Sequence, residues 1–395
     1  MKKNIGILFG GISVEHEVSI ITGLQIYENI DKEKYNVTII YVDKEGRWYT
    51  GEGLKDVHIY QEFDKNVSRL TKGFGAKIKE FYPSLDKSDK KNVLNGLDCI
   101  CLACHGNYGE DGKLQGMLDI MNIPYTSCGI ISSSTGMDKI VMKKILSGMG
   151  LPTLTYLWFS RDEWIRDKQE WINKIKYTLD YPIIVKPANL GSSIGISMAT
   201  NEEELIDAVE VAIRYDKRIL VEKGIENPVE VNSSAMKRDG EILISELEEP
   251  VRWEKFLSFS DKYLHNSGKT GGSKTAGGQK GGMSNMGRKI PAEISPELAQ
   301  QIREFSKKIY RAVDCKGVIR IDYILDSERT NVYVNEVNTI PGSWAFYLWE
   351  AVGIKFAELI DISINEAIKD NQDKKHNIYK YDSDILKNVG GGSKR

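Results

Sequence analysis

The sequence predicts an α/β protein of two or three domains, with a parallel sheet in its N-terminal part. At 395 residues the chain is too long for a single core, because domains average about 150 residues. Near the N-terminus, apolar runs of strand length alternate with segments of helical spacing, which is typical of a parallel sheet covered on both faces. Hydrophobic residues make up 41% of the chain, so a mostly disordered protein is excluded.

The first hundred residues carry the pattern of that sheet. We predict a strand at 4–9, a turn at 10–13, a helix at 14–29, and further strands at 35–42 and 97–103. Ligands usually bind at the carboxyl ends of parallel strands. The polar, glycine-rich segments 10–17 and 105–112 follow such ends, so we expect a site there.

The rest of the chain is predicted to hold two α+β units. The predicted elements are helices at 136–149, 202–215 and 296–313, and strands at 181–185, 218–222, 230–236, 241–246, 317–325 and 332–337. Segment 266–288 is rich in Gly, Lys and Ser and cannot form a packed core, so we expect a mobile loop. Beyond about residue 369 the polar composition predicts a disordered tail.

Charge and composition exclude several classes of function. The formal net charge is -2, so no global basic field attracts nucleic acid or an anionic membrane. No apolar run approaches the roughly 20 residues of a membrane span. Five cysteines without a secretory signal indicate free thiols. We therefore expect a cytoplasmic protein with small-molecule partners and neither nucleic acid nor membrane.

Polar side chains alternate along the last two predicted strands. Arg320 and Asp322 share one face of the first strand, as Glu336 and Asn338 do on the next, because residues two apart in a strand point the same way. Carboxylate and amide oxygens suit Mg²⁺, and the lack of nearby Cys or His argues against zinc. An ordinary ion pair on a solvated sheet face fits the same pattern equally well, so it leaves both interpretations open.

A second pattern places a lysine at the end of a strand, before a loop of glycines and serines. Lys186 precedes Pro187, and the loop contains Gly191-Ser192-Ser193-Ile194-Gly195. Backbone N–H groups and a cation together favour phosphate binding. Glycines alone would be a weak signal because turns need them anyway, but the Lys-Pro start and the Gly-Ser-Ser-x-Gly end strengthen the prediction.

Five separated motifs occur in one order along the chain. They are Phe9-Gly10-Gly11 with Glu15 and Glu17-Val18-Ser19; His105-Gly106 with Gly109-Glu110-Asp111-Gly112 and Gln115-Gly116; Met137-Asp138-Lys139; Val185-Lys186-Pro187 with 191–195; and Asn335-Glu336-Val337-Asn338-Thr339 with Pro341-Gly342. In these motifs the chain resembles the D-alanine–D-alanine ligase family, over about residues 4–367.

The resemblance implies a three-domain ATP-grasp fold, with ATP held between the central and C-terminal domains. The implied domains are an N-terminal Rossmann-like domain (1–129), a central ATP-grasp subdomain (130–222), a C-terminal ATP-grasp subdomain (223–370) with a mobile loop at 260–290, and a disordered tail (371–395). It also implies a homodimer.

A set of ATP and metal ligands follows from the same resemblance. The implied ATP ligands are Lys139, Lys186 and Ser193 for the phosphates, Glu222 with the backbone near Lys223 and Ile225 for the adenine, Glu230 for the ribose, and Lys262 at the start of the mobile loop. The implied ligands of two Mg²⁺ ions, for which Mn²⁺ can substitute, are Asp322, Glu336 and Asn338.

The reaction implied is the ATP-dependent joining of two D-alanine molecules for peptidoglycan precursor synthesis. The carboxylate of the first substrate attacks the γ-phosphate to give D-alanyl phosphate, and the amine of the second displaces phosphate. Arg320 and the Gly342 N–H are expected to stabilise the oxyanion. Glu15 is expected to hold the first substrate's ammonium near His105, in a hydrogen-bonded link with Ser192 and Tyr263.

The second-substrate pocket departs from the family pattern. Pro341-Gly342 is followed by Ser343-Trp344-Ala345-Phe346-Tyr347-Leu348, which puts Tyr347 where the family has a serine and Leu348 at its leucine. A related ATP-grasp ligase, joining D-alanine or another amino acid to a different amino or hydroxy acid, therefore stays an alternative. Tyr263 favours an amine nucleophile. A regulatory protein without catalysis is a third alternative, which the retained Arg320 and metal ligands disfavour.

Overall fold

A computed structural model describes residues 1–72, 77–250, 287–380 and 383. The α/β class is confirmed, because the described residues form three sheets of four or five strands, all packed with helices. The predicted mobile loop lies almost wholly outside the described residues, and so do residues 381–382 and 384–395 of the predicted tail. Among the described residues, no helix is long and apolar enough to cross a membrane.

The first sheet is mixed, whereas a parallel sheet was predicted. Its strands are β1 (Lys3–Gly10), β2 (Tyr35–Val42), β3 (Trp48–Thr50), β4 (Lys79–Phe81) and β5 (Cys99–Leu102), in the order β4-β3-β2-β1-β5. β1 pairs in parallel with β2 and β5, but β3 is antiparallel to both its neighbours. Only five residues separate β2 from β3, and a parallel connection would need a crossover.

Helices cover this sheet on both sides. They are α1 (His16–Asn29), α2 (His58–Gln61), α3 (Phe63–Thr71), α4 (Lys113–Met121) and, from the far end of the chain, a long helix at Phe356–Lys374. That last helix extends beyond residue 369, where a tail was predicted. Contacts with the first sheet's domain explain the extension, since Lys374 pairs with Asp119 at 2.9 Å and Asn371 donates to Asn122 at 3.3 Å.

The second sheet follows a pair of helices at the domain junction. The helices are α5 (Ile130–Met137) and α6 (Lys139–Gly148), where one helix at 136–149 was predicted. The predicted helix is confirmed over Lys139–Gly148, but its start is wrong because Asp138 accepts from the N–H groups of Ile140 and Val141 and thereby caps a new helix. The strands are β6 (Tyr156–Ser160), β7 (Ile183–Pro187), β8 (Ser197–Ala199) and β9 (Arg218–Lys223), and the helices are α7 (Arg161–Arg166), α8 (Lys168–Thr178) and α9 (Glu202–Ala212).

The third sheet confirms the four strands predicted at 230–236, 241–246, 317–325 and 332–337, and all its pairs are antiparallel. Its strands are β10 (Val229–Arg238), β11 (Glu241–Ile244), β14 (Ile319–Leu325) and β15 (Val332–Asn338), in the order β11-β10-β14-β15. A two-stranded ribbon of β12 (Glu249–Pro250) and β13 (Arg288–Lys289) lies beside it. The helices are α10 (Pro296–Ala312), α11 (Phe346–Glu350) and α12 (Phe356–Lys374).

One glycine allows α1 to lie close to β1. A Cβ atom added at Gly23 would collide with the ring of Phe9, which is fully buried under the helix. A Cβ at Gly148, the last residue of α6, would meet nothing within 4 Å. The two glycines therefore form a matched pair for testing helix-to-sheet packing.

We expect Gly23→Ala to destabilise the protein by about 1 to 3 kcal/mol, because overpacking forces the helix from the sheet. Gly148→Ala should be neutral or stabilising by up to about 1 kcal/mol, through helix propensity. Thermal and urea unfolding of both variants measures the difference. A Gly23→Ala protein as stable as the parent would contradict this account of the packing.

Candidate active site

A cleft of about 980 Å³ lies between the second and third sheets. Most of the predicted ATP and metal ligands in the described residues line it. Those that do are Lys139, Lys186, Ser193, Glu222, Lys223, Ile225, Glu230, Asp322 and Glu336. Asn338 belongs to the same strand as Glu336, opposite Arg320. The fold thus brings together residues separated by up to about 200 positions in the sequence.

One face of the third sheet carries the predicted metal ligands. Asp322 lies opposite Glu336 in the β14–β15 register. Arg320 donates to both oxygens of Asp322, with Nε to Oδ1 at 2.6 Å and Nη2 to Oδ2 at 2.7 Å, and Asn338 Nδ2 donates to Oδ2 at 3.1 Å. A β-bulge between Asp322 and Tyr323 shifts the strand register only from Tyr323 onward, so the pairing of Arg320 and Asp322 with β15 is not affected.

These donors fit Mg²⁺ rather than a softer metal. Two carboxylates and one amide supply only oxygen ligands, the set preferred by Mg²⁺ when phosphate oxygens complete the shell. A carboxylate has about four acceptor positions, so Asp322 can hold Arg320 and a cation together. Within the described ranges no three His, Cys, Asp or Glu side chains converge. A metal here would therefore depend on the nucleotide for further ligands.

A buried carboxylate organises the lysines at the back of the cleft. Glu222 is 1% exposed and pairs with Lys143 at 2.6 Å through one oxygen and with Lys186 through the other. Burial by itself would raise the pKa of Glu222, but the two lysine charges outweigh it and lower the pKa to about 2. Glu222 is therefore ionised at neutral pH.

Lys143 was not among the predicted site residues. It lies four residues after Lys139 on α6, so both point to the same side of the helix. That spacing was visible in the sequence, but only the tertiary fold shows that its ammonium meets a buried carboxylate. Burial lowers the pKa of Lys143, and the charge of Glu222 opposes that shift.

The other two lysines link the facing sheets. Lys139 Nζ donates to the Leu190 carbonyl at 2.7 Å and lies 3.7 Å from Glu336 Oε2. Lys186 Nζ donates to Asn335 Oδ1 at 3.1 Å. Both ammonium groups are thus held at the boundary between the lysine-bearing and carboxylate-bearing walls.

The glycine- and serine-rich loop after β7 has left-handed backbone at successive positions. Ser192 has φ +53°, Ser193 φ +59° and Gly195 φ +72°. Non-glycine residues seldom adopt such angles, and runs of them often form anion-binding concavities. The loop begins at Asn189, whose N–H donates to Asp216 at 2.7 Å.

Glu15 lies where this loop meets the first sheet's domain. Its Oε1 accepts a hydrogen bond from Ser192 Oγ, which is the contact expected from the sequence. A Cβ atom at Gly106 or at Gly191 would collide with the same carboxylate. The Glu15 carboxylate therefore lies between two loops, one containing Gly106 and the other containing Gly191 and Ser192. A Cβ atom at either glycine would crowd it.

His105 is buried next to this point. Its Nε2 lies 2.8 Å from Thr22 Oγ1. Burial lowers the pKa of His105 to about 4, and the charge of Arg320 acts in the same direction. A hydrogen bond between His105 and the Ile340 backbone opposes the shift. The imidazole is therefore neutral at pH 7.

Glu110 is a second residue that was not predicted, although it belongs to a quoted motif. Its Oε2 accepts from the Gly106 N–H at 2.8 Å and its Oε1 from the Ile340 N–H at 2.9 Å. Burial and the negative charge of Glu15 raise the pKa of Glu110. The Gly-Glu-Asp-Gly spacing was the available signal, but its two backbone partners could not be inferred from sequence.

The segment after Pro341 is a strained turn. Ser343, Trp344 and Ala345 have φ of +53°, +50° and +49° in succession. Three consecutive left-handed residues cost energy, and the contacts around them must hold the conformation. Trp344 Nε1 donates to the Leu102 carbonyl at 3.1 Å, and the Ser343 N–H donates to Thr22 at 3.0 Å.

Tyr347 belongs to a buried polar cluster rather than to an open pocket. Its hydroxyl donates to Glu248 Oε1 at 2.9 Å, and the Arg288 guanidinium lies 3.8 Å from its ring centroid. Arg288 also pairs with Glu248 at 2.7 Å, and Asn232 Nδ2 donates to the same carboxylate at 2.9 Å. Two other predicted second-substrate residues, Ser343 and Leu348, have buried side chains. Lys262 and Tyr263 lie outside the described residues.

Two facing antiparallel sheets, one presenting lysines and the other carboxylates across a shared cleft, define the ATP-grasp class. The D-ala D-ala ligase N-terminus family matches residues 4–128, and the D-ala D-ala ligase C-terminus family matches residues 145–365. The chain therefore belongs to the D-Ala-D-Ala ligase family, and it has the ATP-grasp fold of that family.

Relatives agree over nearly the full chain. The D-alanine–D-alanine ligase of Thermosipho africanus is 38% identical, covering 97% of this chain and 98% of the relative. The ligase of the same name from Acetivibrio thermocellus is 34% identical, covering 96% and 99%.

Two solved structures share the whole fold. The D-alanine-D-alanine ligase of Coxiella burnetii superposes with a TM-score of 0.75 at 26% identity, covering 95% of this chain and 96% of that one. The VanG D-Ala:D-Ser ligase of Enterococcus faecalis also gives a TM-score of 0.75 at 26% identity, covering 93% and 100%.

The Lys143–Glu222–Lys186 cluster generates a prediction about stability. We expect Lys143→Met to lower the free energy of unfolding by about 3 kcal/mol, because it leaves a buried carboxylate with one cation where it had two. The neighbouring Lys144 is exposed, and Lys144→Met should stay within about 0.5 kcal/mol of the parent. Urea unfolding measures both, and equal stability of the two variants would refute the assigned role.

Proposed function

We propose that this chain is an ATP-dependent ligase that joins two D-alanine molecules through D-alanyl phosphate, for peptidoglycan precursor synthesis. The contact between Glu15 and Ser192 carries the proposal. Because Ser192 belongs to the glycine- and serine-rich loop, an amino acid whose ammonium meets Glu15 has its carboxylate close to the phosphate-binding region. That is the arrangement a carboxylate needs to attack a γ-phosphate.

ATP is proposed to occupy the cleft between the second and third sheets. Lys139, Lys186 and the Ser193 loop would hold the phosphates, and Lys262 would add a further contact. Glu222, with the backbone of Lys223 and Ile225, would hold the adenine, and Glu230 the ribose. The N–H of Lys223 donates to the Thr155 carbonyl at 2.9 Å, which supports a fixed backbone at the adenine position.

Two Mg²⁺ ions, or Mn²⁺ in their place, are proposed to bind Asp322, Glu336 and Asn338. When bound, they would neutralise charge on the phosphate oxygens. The bidentate pairing with Arg320 orients Asp322 in advance, so this carboxylate needs little rearrangement to share a cation. The all-oxygen donor set supports this assignment.

The first substrate is proposed to bind between Glu15 and His105. Burial and the nearby charge of Glu15 raise the pKa of Glu110 to about 8, so a cation bound between the loops would favour ionisation of both carboxyl groups. Neutral His105 adds no opposing charge. The ammonium group of an amino acid is a cation that could bind there.

The two chemical steps then need oriented charges more than proton transfer. Attack of the first carboxylate on the γ-phosphate breaks the bond to the β-phosphate and gives the acyl phosphate and ADP. Attack of the second substrate's amine then forms the amide, expels phosphate and releases a proton. Arg320 and the Gly342 N–H would stabilise the oxyanion of the tetrahedral intermediate. Tyr263 would complete the link between Glu15 and Ser192.

The identity of the second substrate has an alternative. Since the Tyr347 hydroxyl already donates to Glu248, its single proton is not available for a substrate carboxylate. Ser343, Tyr347 and Leu348 would then shape the pocket rather than bind that carboxylate by their side chains. This observation favours a related ligase that joins D-alanine or another amino acid to a different amino or hydroxy acid as the second candidate.

Three further assignments accompany the proposal. The domains are proposed to span 1–129, 130–222 and 223–370. The predicted loop at 260–290 lies almost wholly outside the described residues, and the predicted tail at 371–395 begins within the helix that ends at Lys374. The protein is proposed to act as a homodimer. Cytoplasmic location is proposed because ATP and peptidoglycan precursors meet there.

The test of function is phosphate release from ATP and Mg²⁺ with D-alanine alone, followed by mass spectrometry of the product. The D-alanyl-D-alanine mass supports the main proposal. Poor turnover that a second amino or hydroxy acid restores supports the mixed ligase instead. No phosphate release with any amino acid would leave the non-catalytic alternative.

We expect Arg320→Ala to lower ligation by about 10² to 10³-fold, the usual effect of losing one oxyanion donor, while binding of a non-hydrolysable ATP analogue persists. Arg238→Ala is the control, because this exposed arginine pairs only with Glu358 and Asp239 among the described residues. Stopped-flow phosphate release and analogue titration measure the two quantities. Normal turnover in Arg320→Ala would contradict the proposal that Arg320 stabilises the oxyanion.

We expect Tyr347→Phe to change the KM for the second amino acid by about fivefold, because losing one buried hydrogen bond alters the pocket by ~1 kcal/mol. The KM for ATP should stay constant. Tyr310→Phe is a matched control, since the Tyr310 hydroxyl makes one hydrogen bond of 2.9 Å, to the Gly317 carbonyl. An unchanged KM for the second amino acid in Tyr347→Phe would show that Tyr347 does not belong to that pocket.

A further inference from the structure

We propose that Glu110 is a positioning residue that sets the spacing between the ammonium site at Glu15 and the Gly342 N–H. The inference rests on the proposed function and extends it to a residue outside the predicted site. Two backbone N–H groups donate to the half-buried carboxyl group of Glu110.

The two hydrogen bonds of Glu110 join loops that are far apart in sequence. Gly106, which donates to Oε2, follows His105 at the end of β5, whereas Ile340, which donates to Oε1, precedes Gly342 by two residues. The loop after β5 belongs to the first sheet's domain, and the Ile340 segment follows the last strand of the third sheet. One side chain thus spans the junction at which both ends of the first substrate would lie.

Each of these backbone groups is coupled to a group proposed to contact substrate. The Gly106 backbone lies beside the Glu15 carboxylate, because a Cβ atom added there would come within 2.6 Å of Glu15 Oε2. The position of Gly106 therefore limits the space available to that carboxylate. Ile340 is followed by Pro341, which limits how the Gly342 N–H can move independently. Displacement at either hydrogen bond therefore changes the geometry of the reacting ends.

Thr22 makes a parallel link between the same two loops. Its Oγ1 lies 2.8 Å from His105 Nε2 and accepts the Ser343 N–H at 3.0 Å. With Glu110, it connects residues 105–106 to residues 340–343 at two points. Two such points resist both sliding and rotation of one loop against the other.

The link requires a carboxyl group, because both oxygens of Glu110 accept an N–H. A glutamine has one acceptor oxygen and would turn an NH₂ group toward the other donor. An acid here has an energetic cost, because Glu110 is half-buried and close to Glu15. A purely space-filling role would be met by glutamine without that cost.

The test compares Glu110→Gln with Asp111→Asn in the full-length protein. Asp111 is the neighbouring acid, and it also accepts two backbone N–H groups, from Tyr108 at 2.9 Å and Lys113 at 3.2 Å. Both donors belong to Asp111's own loop, so its substitution costs similar hydrogen bonds without separating the two loops. It is therefore a control for general loosening.

We expect Glu110→Gln to lower kcat/KM for the first amino acid by about ten- to a hundredfold, the scale of a 1 Å misplacement, with both a higher KM and a lower kcat. The Kd of a non-hydrolysable ATP analogue should change by less than about twofold, because a substitution outside the nucleotide site has a small effect on it. Asp111→Asn should retain the parent's kcat and KM. The measurements are initial-rate phosphate release and analogue titration.

Two outcomes overturn the proposal. One is a Glu110→Gln enzyme with parental kcat and KM, and the other is an equal loss in Asp111→Asn. If Glu110→Gln fails to fold, Glu110→Asp keeps both acceptors but withdraws them by one methylene, and a raised KM for the first amino acid is then the supporting result. The proposed function has its own readout, because parental enzyme that releases no phosphate refutes the function itself.

Discussion

The antiparallel register of β14 and β15 is the constraint on which the candidate site depends. Because Asp322 lies opposite Glu336 and Arg320 opposite Asn338, four polar side chains share one face of the sheet. The other face of β14 is apolar and packs on α10. A slip of one residue would bury the polar set and expose the apolar one, so packing of the core determines the register and the register determines the site.

The lysine wall depends on a different physical balance. Three ammonium groups, of Lys139, Lys143 and Lys186, would repel one another in a partly buried cleft, but the single negative charge of Glu222 lies between Lys143 and Lys186 and offsets part of their repulsion. Its ionisation is maintained by Lys143 and Lys186 against the cost of burial. The result is a pre-organised set of cations on α6 and the second sheet, facing carboxylates on the third sheet. Such fixed charges suit binding of a polyphosphate, because little reorganisation is needed when it arrives.

Several elements could be predicted because their signals are local. The strand at Tyr35–Val42 is rich in β-branched and aromatic residues, and α10 has strong helical spacing with Ser295 as its N-cap. The failures also have local or tertiary causes. The strands β3 and β4 are too short to show a period, and α12 continues into polar sequence because Lys374 has an ion-pair partner on another element.

By itself the sequence determined the fold class, the order of motifs, and the residue types of the phosphate and metal sites, because each depends on neighbours a few positions apart. Tertiary structure decided which distant groups meet. Glu110 with Ile340 and Tyr347 with Glu248 are pairs 230 and 99 residues apart, and the Glu15–Ser192 contact, across 177 residues, was expected only from the family resemblance. No periodicity or spacing encodes such contacts, since they arise only when three packed sheets bring their connecting loops to one place.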